Sequence, residues 1–532
     1  MEASQGLEVE KKYDVGSDAT VPPLDGLPGV ARVGEPQTAK LEAVYFDTAD
    51  HALAARRITL RRRTGGGDAG WHLKLPPEEA AGTGDAEPQQ RREVHAPLGQ
   101  AGVVPDALLA RVQAYLRGAE VVPVARLRTR RTTHALYGGD GVHLADLADD
   151  RVTAERLPGP DGGGGGNKQQ WREWELELVN GDASLFAPAG QLLVGAGARP
   201  AGHASKLAKA LGAPALGTPD RDQDADAAPD EAIPALPAGK KSPAAAVVTV
   251  YAAAQIKELL DQDAAIRLEE PEAVHDMRSA TRRLRSVLAA YRKLYRAVPV
   301  RRLRDELKWL GQLLGEPRDA EVLLARLRGH LDDLGQGPGP DAARDRLERQ
   351  AGATYDAGYR RLQEAMRTER YFRLLDSLEE FRDNPPVRTE TVPPGRRVAA
   401  KAVDKAAKRL RRSHRAASHA RRGIDHENAL HRVRKDAKKL RHVAESAALI
   451  KGKRANKVAK AAHRQQKILG DYHDAVMARD LLAGMASDRD RAAVSEAYAA
   501  LLQRQEELMS AAQAKYRKAR KKSRDLLRRG VI

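Results

Sequence analysis

The hydrophobic period of this chain changes once, near residues 212–244, and that change limits what each part can fold into. Before it, polar and apolar residues alternate along Leu7–Tyr13, Ala43–Asp47, Ile58–Arg63, Trp71–Leu75, Ala125–Thr133, Val142–Val152 and Trp171–Val179. A period of two marks strands with two unlike faces, so these runs read as an antiparallel sheet or barrel. Gly65–Gly67 joins two of them at hairpin spacing, and Gly162–Gly166 reads as a further turn. After the change, Ala252–Arg267, Val274–Tyr295, Arg302–Leu314, Ala320–Asp332, His426–Leu449 and Ala492–Leu527 carry apolar residues at helical spacing with few β-branched side chains. Pro and Gly clusters at Gly335–Pro340 and Pro385–Gly395 separate these helices. Residues 216–243, rich in Asp, Ala and Pro, have no period and read as a linker. The expectation is an α+β multidomain chain: a β domain over 1–215, the linker over 216–243 and an all-α domain over 244–530.

Charge divides at the same place. Residues 1–250 hold 28 Lys and Arg against 34 Asp and Glu, whereas residues 251–532 hold 63 against 39. The second part therefore reads as a polyanion binder. Aromatic residues are only 4% of the chain, too few for the stacking platforms of single-stranded nucleic acid, which argues for a phosphate-rich partner without bases and against nucleic acid. The chain has no cysteine, so disulfides, thiolate metal sites and cysteine nucleophiles are excluded. Met1–Asp14 has no signal-peptide pattern and no apolar run reaches membrane-spanning length, so a cytoplasmic protein without a membrane partner is expected.

In the first part the alternation groups charges. Glu8, Glu10 and Lys12 share one strand face, and Glu173, Glu175 and Glu177 share another. Arg61 with Arg63, His72 with Lys74, and Arg126, Arg128 and Arg130 form cationic counterparts. Any one of these sets suits a half-solvated sheet. Five strands carrying them suit a closed barrel that holds divalent cations, Mg²⁺ or Mn²⁺, on its acids and clamps phosphate oxygens with its Arg and Lys.

These residues also resemble a family. Leu7-Glu8-Val9-Glu10-Lys11-Lys12 is similar to the ExExK signature of the CYTH domain of the triphosphate tunnel metalloenzymes. Tyr45–Thr48 resembles its YxDT strand, Trp71–Pro76 its WxLKLP strand, Glu173–Leu178 its late acidic strand and Ser205-Lys206 its terminal SK. The resemblance implies an eight-stranded antiparallel tunnel for triphosphate substrates, with Glu8, Glu10, Glu175 and Glu177 serving the metals and Glu8, Glu10 and Lys12 central to catalysis. Lys12, Arg61, Arg63, Lys74, Arg128, Arg130 and Lys206 would contact phosphate, with Arg126 sharing their strand face. A further metal-binding acid on the preceding strand is Asp150 or, on the same face, Asp146. The expected reaction is hydrolysis of a terminal phosphoanhydride without a covalent enzyme intermediate; cyclisation of ATP, as in class IV adenylyl cyclases, and a non-catalytic polyphosphate-binding role are alternatives.

The helical part repeats itself. Val274-His275-Asp276-Met277-Arg278 and Thr281-Arg282-Arg283-Leu284-Arg285 recur 156 residues later as Leu430–Arg434 and Ala437–Arg441. Leu313–Ala320 recurs as Ile468–Ala475 at an offset of 155. On a helix His275, Arg278, Arg282 and Arg285 form one stripe, as do His431, Arg434, Lys438 and Arg441, with Lys435 and Lys439 flanking the second. These motifs resemble the CHAD domain, an α-helical fold named for conserved histidines. The resemblance implies two repeated four-helix bundles around a basic groove for inorganic polyphosphate, and association with polyphosphate granules. Arg283, Arg318 and His473 complete the expected binding set. Metal chelation by the histidines is the competing reading; cations beside each of them favour phosphate.

Overall fold

The computed structural model describes residues 4–76, 88–159, 166, 168–212, 243–335, 338–388, 395–485 and 492–529. Of the expected linker only residue 243, and of the Gly162–Gly166 turn only Gly166, falls within these described residues. The chain divides into two compact units, Met1–Ala228 and Pro229–Ile532.

The first unit contains strands β1 (Ser4–Val15), β2 (Arg32–Val33), β3 (Gln37–Asp47), β4 (Thr59–Thr64), β5 (Gly70–Leu75), β6 (Gln89–Ala96), β7 (Val122–Tyr137), β8 (His143–Arg156), β9 (Lys168–Leu178) and β10 (Arg199–Pro200). The order β1-β6-β5-β4-β3-β7-β8-β9 is closed by pairing of β9 with β1, Glu10 opposite Glu177 and Lys12 opposite Glu175. Eight antiparallel strands thus form the expected closed barrel, while β2 and β10 are short additions to β7 and β1. The β4–β5 turn requires glycine: Gly65 has φ +81°, and a Cβ there would stand 2.2 Å from the Lys40 carbonyl oxygen.

This barrel carries charge inside and apolar residues outside, so its outer faces need cover. Helix α1 (Asp106–Leu116) places Leu108, Val112 and Leu116 over Trp71, Leu73 and Leu75. Helix α2 (Phe186–Gly195) sets Phe186, Ala189 and Leu193 against Tyr13, Trp174 and Leu176. Each such fully buried large side chain contributes about 1.5–3 kcal/mol. Helix α3 (Lys206–Leu211), capped by the Ser205 hydroxyl accepting from the Ala208 amide, instead packs Leu207, Ala210 and Leu211 on Ala125, Leu127 and Val152 of the inward face, so it enters the barrel rather than covering it.

The second unit consists of α4 (Ala244–Arg267), α5 (Ala273–Ala290), α6 (Ala297–Leu313), α7 (Gly315–Asp333), α8 (Pro338–Ala365), α9 (Glu369–Asp383), α10 (Gly395–His419), α11 (Ile424–Met485) and α12 (Ala492–Arg529). Gly452, at φ 48°, breaks α11 into two stretches. The sequence repeat maps α4, α5, α6–α7 and α8 onto α10, the first stretch of α11, its second stretch and α12. One copy is interrupted where the other is continuous: Pro317 lies in the first turn of α7, whereas Tyr472 at the equivalent place lets α11 run on. Ser286 and His442, equivalent at the 156-residue offset, hydrogen-bond to each other at 3.1 Å, so the two bundles face one another across matching positions.

Candidate functional site

The barrel interior collects side chains from every strand face that the alternation turned inward. Glu8, Glu10, Lys12, Arg61, Arg63, Lys74, Glu175, Glu177 and Lys206 line one cavity of about 70 Å³. Its small size follows from ion pairing across it. Lys12 contacts Glu10 and sits 2.6 Å from Glu175; Lys74 is 2.5 Å from Glu8. Lys206 reaches Glu173 and Glu175 at 2.6 Å and Asp150 at 3.0 Å.

The acids fall into two groups. Asp150, Glu173 and Glu175 are buried with ligand atoms within 4.8 Å of one another, an arrangement that can hold a metal ion. In the structure Lys206 and Arg131 neutralise them: burial opposes ionisation of Asp150 and Glu175, but Arg131 and Lys206, joined at Glu175 by Lys12, hold both below the usual carboxylate range. Glu8, Glu10 and Glu177 form the second group. Burial and then the negative charge of Glu8 push Glu177 up to about 7, while Lys12 and Lys74 overcome the burial of Glu10 and hold it at about 2. Glu8 Oε2 and Glu10 Oε1 are buried without a hydrogen-bond partner among the described residues. Unsatisfied carboxylate oxygens beside a raised carboxyl fit a hard divalent cation.

One expectation needs correction. Arg126, Arg128 and Arg130 lie on the outer face of β7; Arg126 and Arg128 pair there with Glu42 at 3.6 and 3.3 Å, and the Arg128 side chain is 63% exposed. The inward face of β7 is the odd-numbered one, so Arg131 enters the barrel and clamps Asp150 with two hydrogen bonds, at 2.8 and 2.6 Å. Alternating basic residues on a strand do not reveal which face is inside when both faces carry Arg. Asp150 is the buried acid of β8, whereas Asp146 pairs with His143 at 2.8 Å nearer solvent.

Sequence reasoning also missed Tyr45, Arg91, Glu93 and Arg131 in the cavity. Arg91 and Glu93 lie on β6, whose QQRREVHA sequence places only Val94 and Ala96 on a buried apolar face and gives a faint strand signal. Glu93 accepts from His72 at 2.8 Å; burial holds the His72 pKa down at about 4.

In the helical unit a larger cavity, about 1370 Å³, is lined by Arg278, Arg282, Arg285, His431, Arg434, Lys435, Lys438, Lys439 and His473. Here cations face cations. Burial, then Arg282, Arg434 and Arg278, lower the Lys438 pKa to about 6, and burial with Arg278 and Arg434 lowers Arg282 to about 10. The His431 and His473 rings stand 4.5 Å apart; burial and the adjacent His473 and Lys435 bring His431 to about 4. The counterweights in the wall are Asp319, 2.8 Å from Arg278, Asp436, 3.0 Å from Arg409, and Asp474 beside Arg434. Four expected residues are not in the lining: Arg318 pairs with Glu321 and Glu272, Arg441 with Glu445, and His275 and Arg283 lie off the cavity wall. Stripe geometry misplaced Arg441 because its i,i+4 carboxylate draws it along its own helix. Helix α10 supplies Lys405, Lys408, Arg409 and Arg412, which no repeat motif announced.

The family model for the CYTH domain matches residues 6–193, and that for the CHAD domain matches residues 250–483. Uncharacterized proteins from two strains of Mycobacterium tuberculosis are each 39% identical over 539 aligned residues, covering 98% of this chain and 98% of their own. Among solved structures, PptA from Streptomyces chartreusis is similar at 22% identity and TM-score 0.45, covering 52% of this chain and 99% of its own. A CHAD domain from the plant Ricinus communis is similar at 24% identity and TM-score 0.41, covering 52% and 93%.

Proposed function

The chain belongs to the CYTH–CHAD family, and from that premise we propose that its barrel hydrolyses inorganic triphosphate or a related triphosphate with Mg²⁺ or Mn²⁺, while its helical unit binds inorganic polyphosphate. The observation that carries the first half is the pairing, within one buried cavity, of partnerless carboxylate oxygens on Glu8 and Glu10 with Arg61, Arg63, Lys74 and Arg91. Glu8, Glu10 and Glu177, with Asp150 and Glu175 beside them, would hold the cation. When bound, it would neutralise these acids and polarise a phosphoryl oxygen.

The remaining work falls to the chain. Arg61, Arg63, Lys74 and Arg91 bind and orient the phosphate oxygens, and their charge stabilises the transferring phosphoryl group. Lys12, held between Glu10 and Glu175, exchanges carboxylate for phosphate when substrate enters. Water attacks directly, without an enzyme-bound phosphoryl group. In the helical unit the self-repelling cations of the cavity favour a polyanion, and the protein would associate with cytoplasmic polyphosphate granules. No helix of the described residues is long and apolar enough to cross a membrane.

Phosphate release from tripolyphosphate with Mg²⁺ or Mn²⁺ tests the barrel reading. Metal-dependent release that Glu8→Gln/Glu10→Gln abolishes is expected, with label from ¹⁸O-water in a phosphate product in single turnover. Absence of label from both products would refute direct water attack, and conversion of ATP to cyclic AMP would favour a cyclase.

A further inference from the structure

Outside the groove, the helical unit carries a second concentration of positive charge. Residues 453–467 of α11 hold six Lys and Arg and no acid; residues 515–529 of α12 hold nine Lys and Arg and a single acid, Asp525. Fourteen of these fifteen cations are exposed. Elsewhere in the unit exposed arginines find carboxylates, as in Arg328–Glu348, Arg361–Glu316 and Arg370–Glu306. In the two stretches the described residues give one such pair, Arg524–Asp525 at 3.6 Å.

The two stretches form one surface. Gln465 donates to Ser523 at 2.7 Å and accepts from His414 Nε2 of α10 at 2.8 Å, a buried chain that ties three helices together. Arg454 donates to the Arg529 carbonyl, so the stretches run antiparallel. Helix α10 connects this surface with the groove: Arg411 donates to the Leu527 carbonyl at 3.1 Å, while its neighbours Arg409 and Arg412 line the cavity.

We infer that this α11–α12 face is a second docking surface for inorganic polyphosphate, engaged by the part of a long chain that extends beyond the groove. The inference rests on the reading of the helical unit as a polyphosphate binder. Exposed lysines suit a flexible polymer of phosphates, because they offer point charges without a fixed geometry. The face has no exposed large apolar residue, which a helix lying in a membrane surface needs. One polymer held at two places gains affinity from its length, since the second contact is intramolecular.

The test compares a short polyphosphate with one many times longer, on the full chain, in three forms: unchanged, Lys515→Gln/Lys518→Gln/Lys522→Gln, and Arg282→Gln/Lys438→Gln. The exposed triple variant should bind the long chain about tenfold or more weakly and with a shallower salt dependence, and bind the short chain unchanged. Equal loss for both lengths, or no loss for the long one, overturns the inference. Duplex DNA affinity falling in the triple variant while long-chain polyphosphate affinity holds overturns it in favour of nucleic acid. The groove variant isolates the underlying reading: if it binds the short chain unimpaired, the groove assignment fails, whatever the outer face does.

Discussion

The barrel and the helical groove both gather buried cations, yet they treat them in opposite ways. In the barrel Lys12, Lys74, Arg131 and Lys206 lie against carboxylates, so their burial is compensated and the cavity is nearly filled by ion pairs. In the groove Arg278, Arg282, Arg434 and Lys438 crowd one another around a cavity some twenty times larger, whose wall carries Asp319, Asp436 and Asp474 as counterions. A ligand of the barrel must replace internal pairs and so needs to bring both charges, as a metal–triphosphate complex does. A ligand of the groove need only be an anion.

This contrast is broken most forcefully by removing one cation from each side. Lys206→Met leaves Asp150, Glu173 and Glu175 with one buried countercharge fewer, and should destabilise the barrel by about 3–5 kcal/mol. Denaturation followed by tryptophan fluorescence reads this unit, since Trp71, Trp171 and Trp174 belong to it and Trp309 alone to the other. Arg282→Gln should do the reverse: stability without ligand unchanged or raised by about 1 kcal/mol, and polyphosphate affinity lowered about tenfold. Destabilisation by Arg282→Gln would mean that the groove cations are compensated after all.

Acidity sharpens the comparison next. Lys438 faces Arg278 and Arg282 of α5, Arg434 of its own helix and Asp319 of α7, and with its pKa lowered to about 6 it is mostly neutral at pH 8. A bound polyanion favours its charged form, so polyphosphate binding should take up protons and tighten from pH 8 towards pH 6. Calorimetry in buffers of different ionisation enthalpy measures the uptake, which Lys438→Gln should diminish. The smallest effect belongs to the outer barrel surface: Arg128→Gln should change stability by less than about 0.5 kcal/mol and leave phosphate release intact. A large loss of activity there would return β7's even-numbered face to the tunnel.

Much of this architecture was legible in the chain because period and charge coincide. Glu8, Glu10 and Lys12 alternate on a strand whose other face carries Val9 and Tyr13, and closure of the barrel brings that charged face to the interior. The groove stripe was legible through its repetition. What escaped were positions where neither signal operates. Arg130 and Arg131 are adjacent cations of opposite parity, and only the register with Asp150 chooses between them. Strand β6 buries its apolar residues outward under α1, a helix whose existence no strand pattern announces. Lys405, Lys408, Arg409 and Arg412 look like an ordinary solvated helix face until α10 is placed against the cavity.

The central claim is that the two units divide their labour, triphosphate hydrolysis in one and polyanion capture in the other. It is tested most directly by measuring both phosphate release from tripolyphosphate with Mg²⁺ or Mn²⁺ and polyphosphate affinity in Glu8→Gln/Glu10→Gln and in Arg282→Gln/Lys438→Gln. The account predicts that the first variant loses release, by at least about 100-fold, and keeps binding, while the second loses binding and keeps release on this short substrate. Release that survives loss of both glutamates, or polyphosphate binding that survives loss of both groove cations, would contradict it.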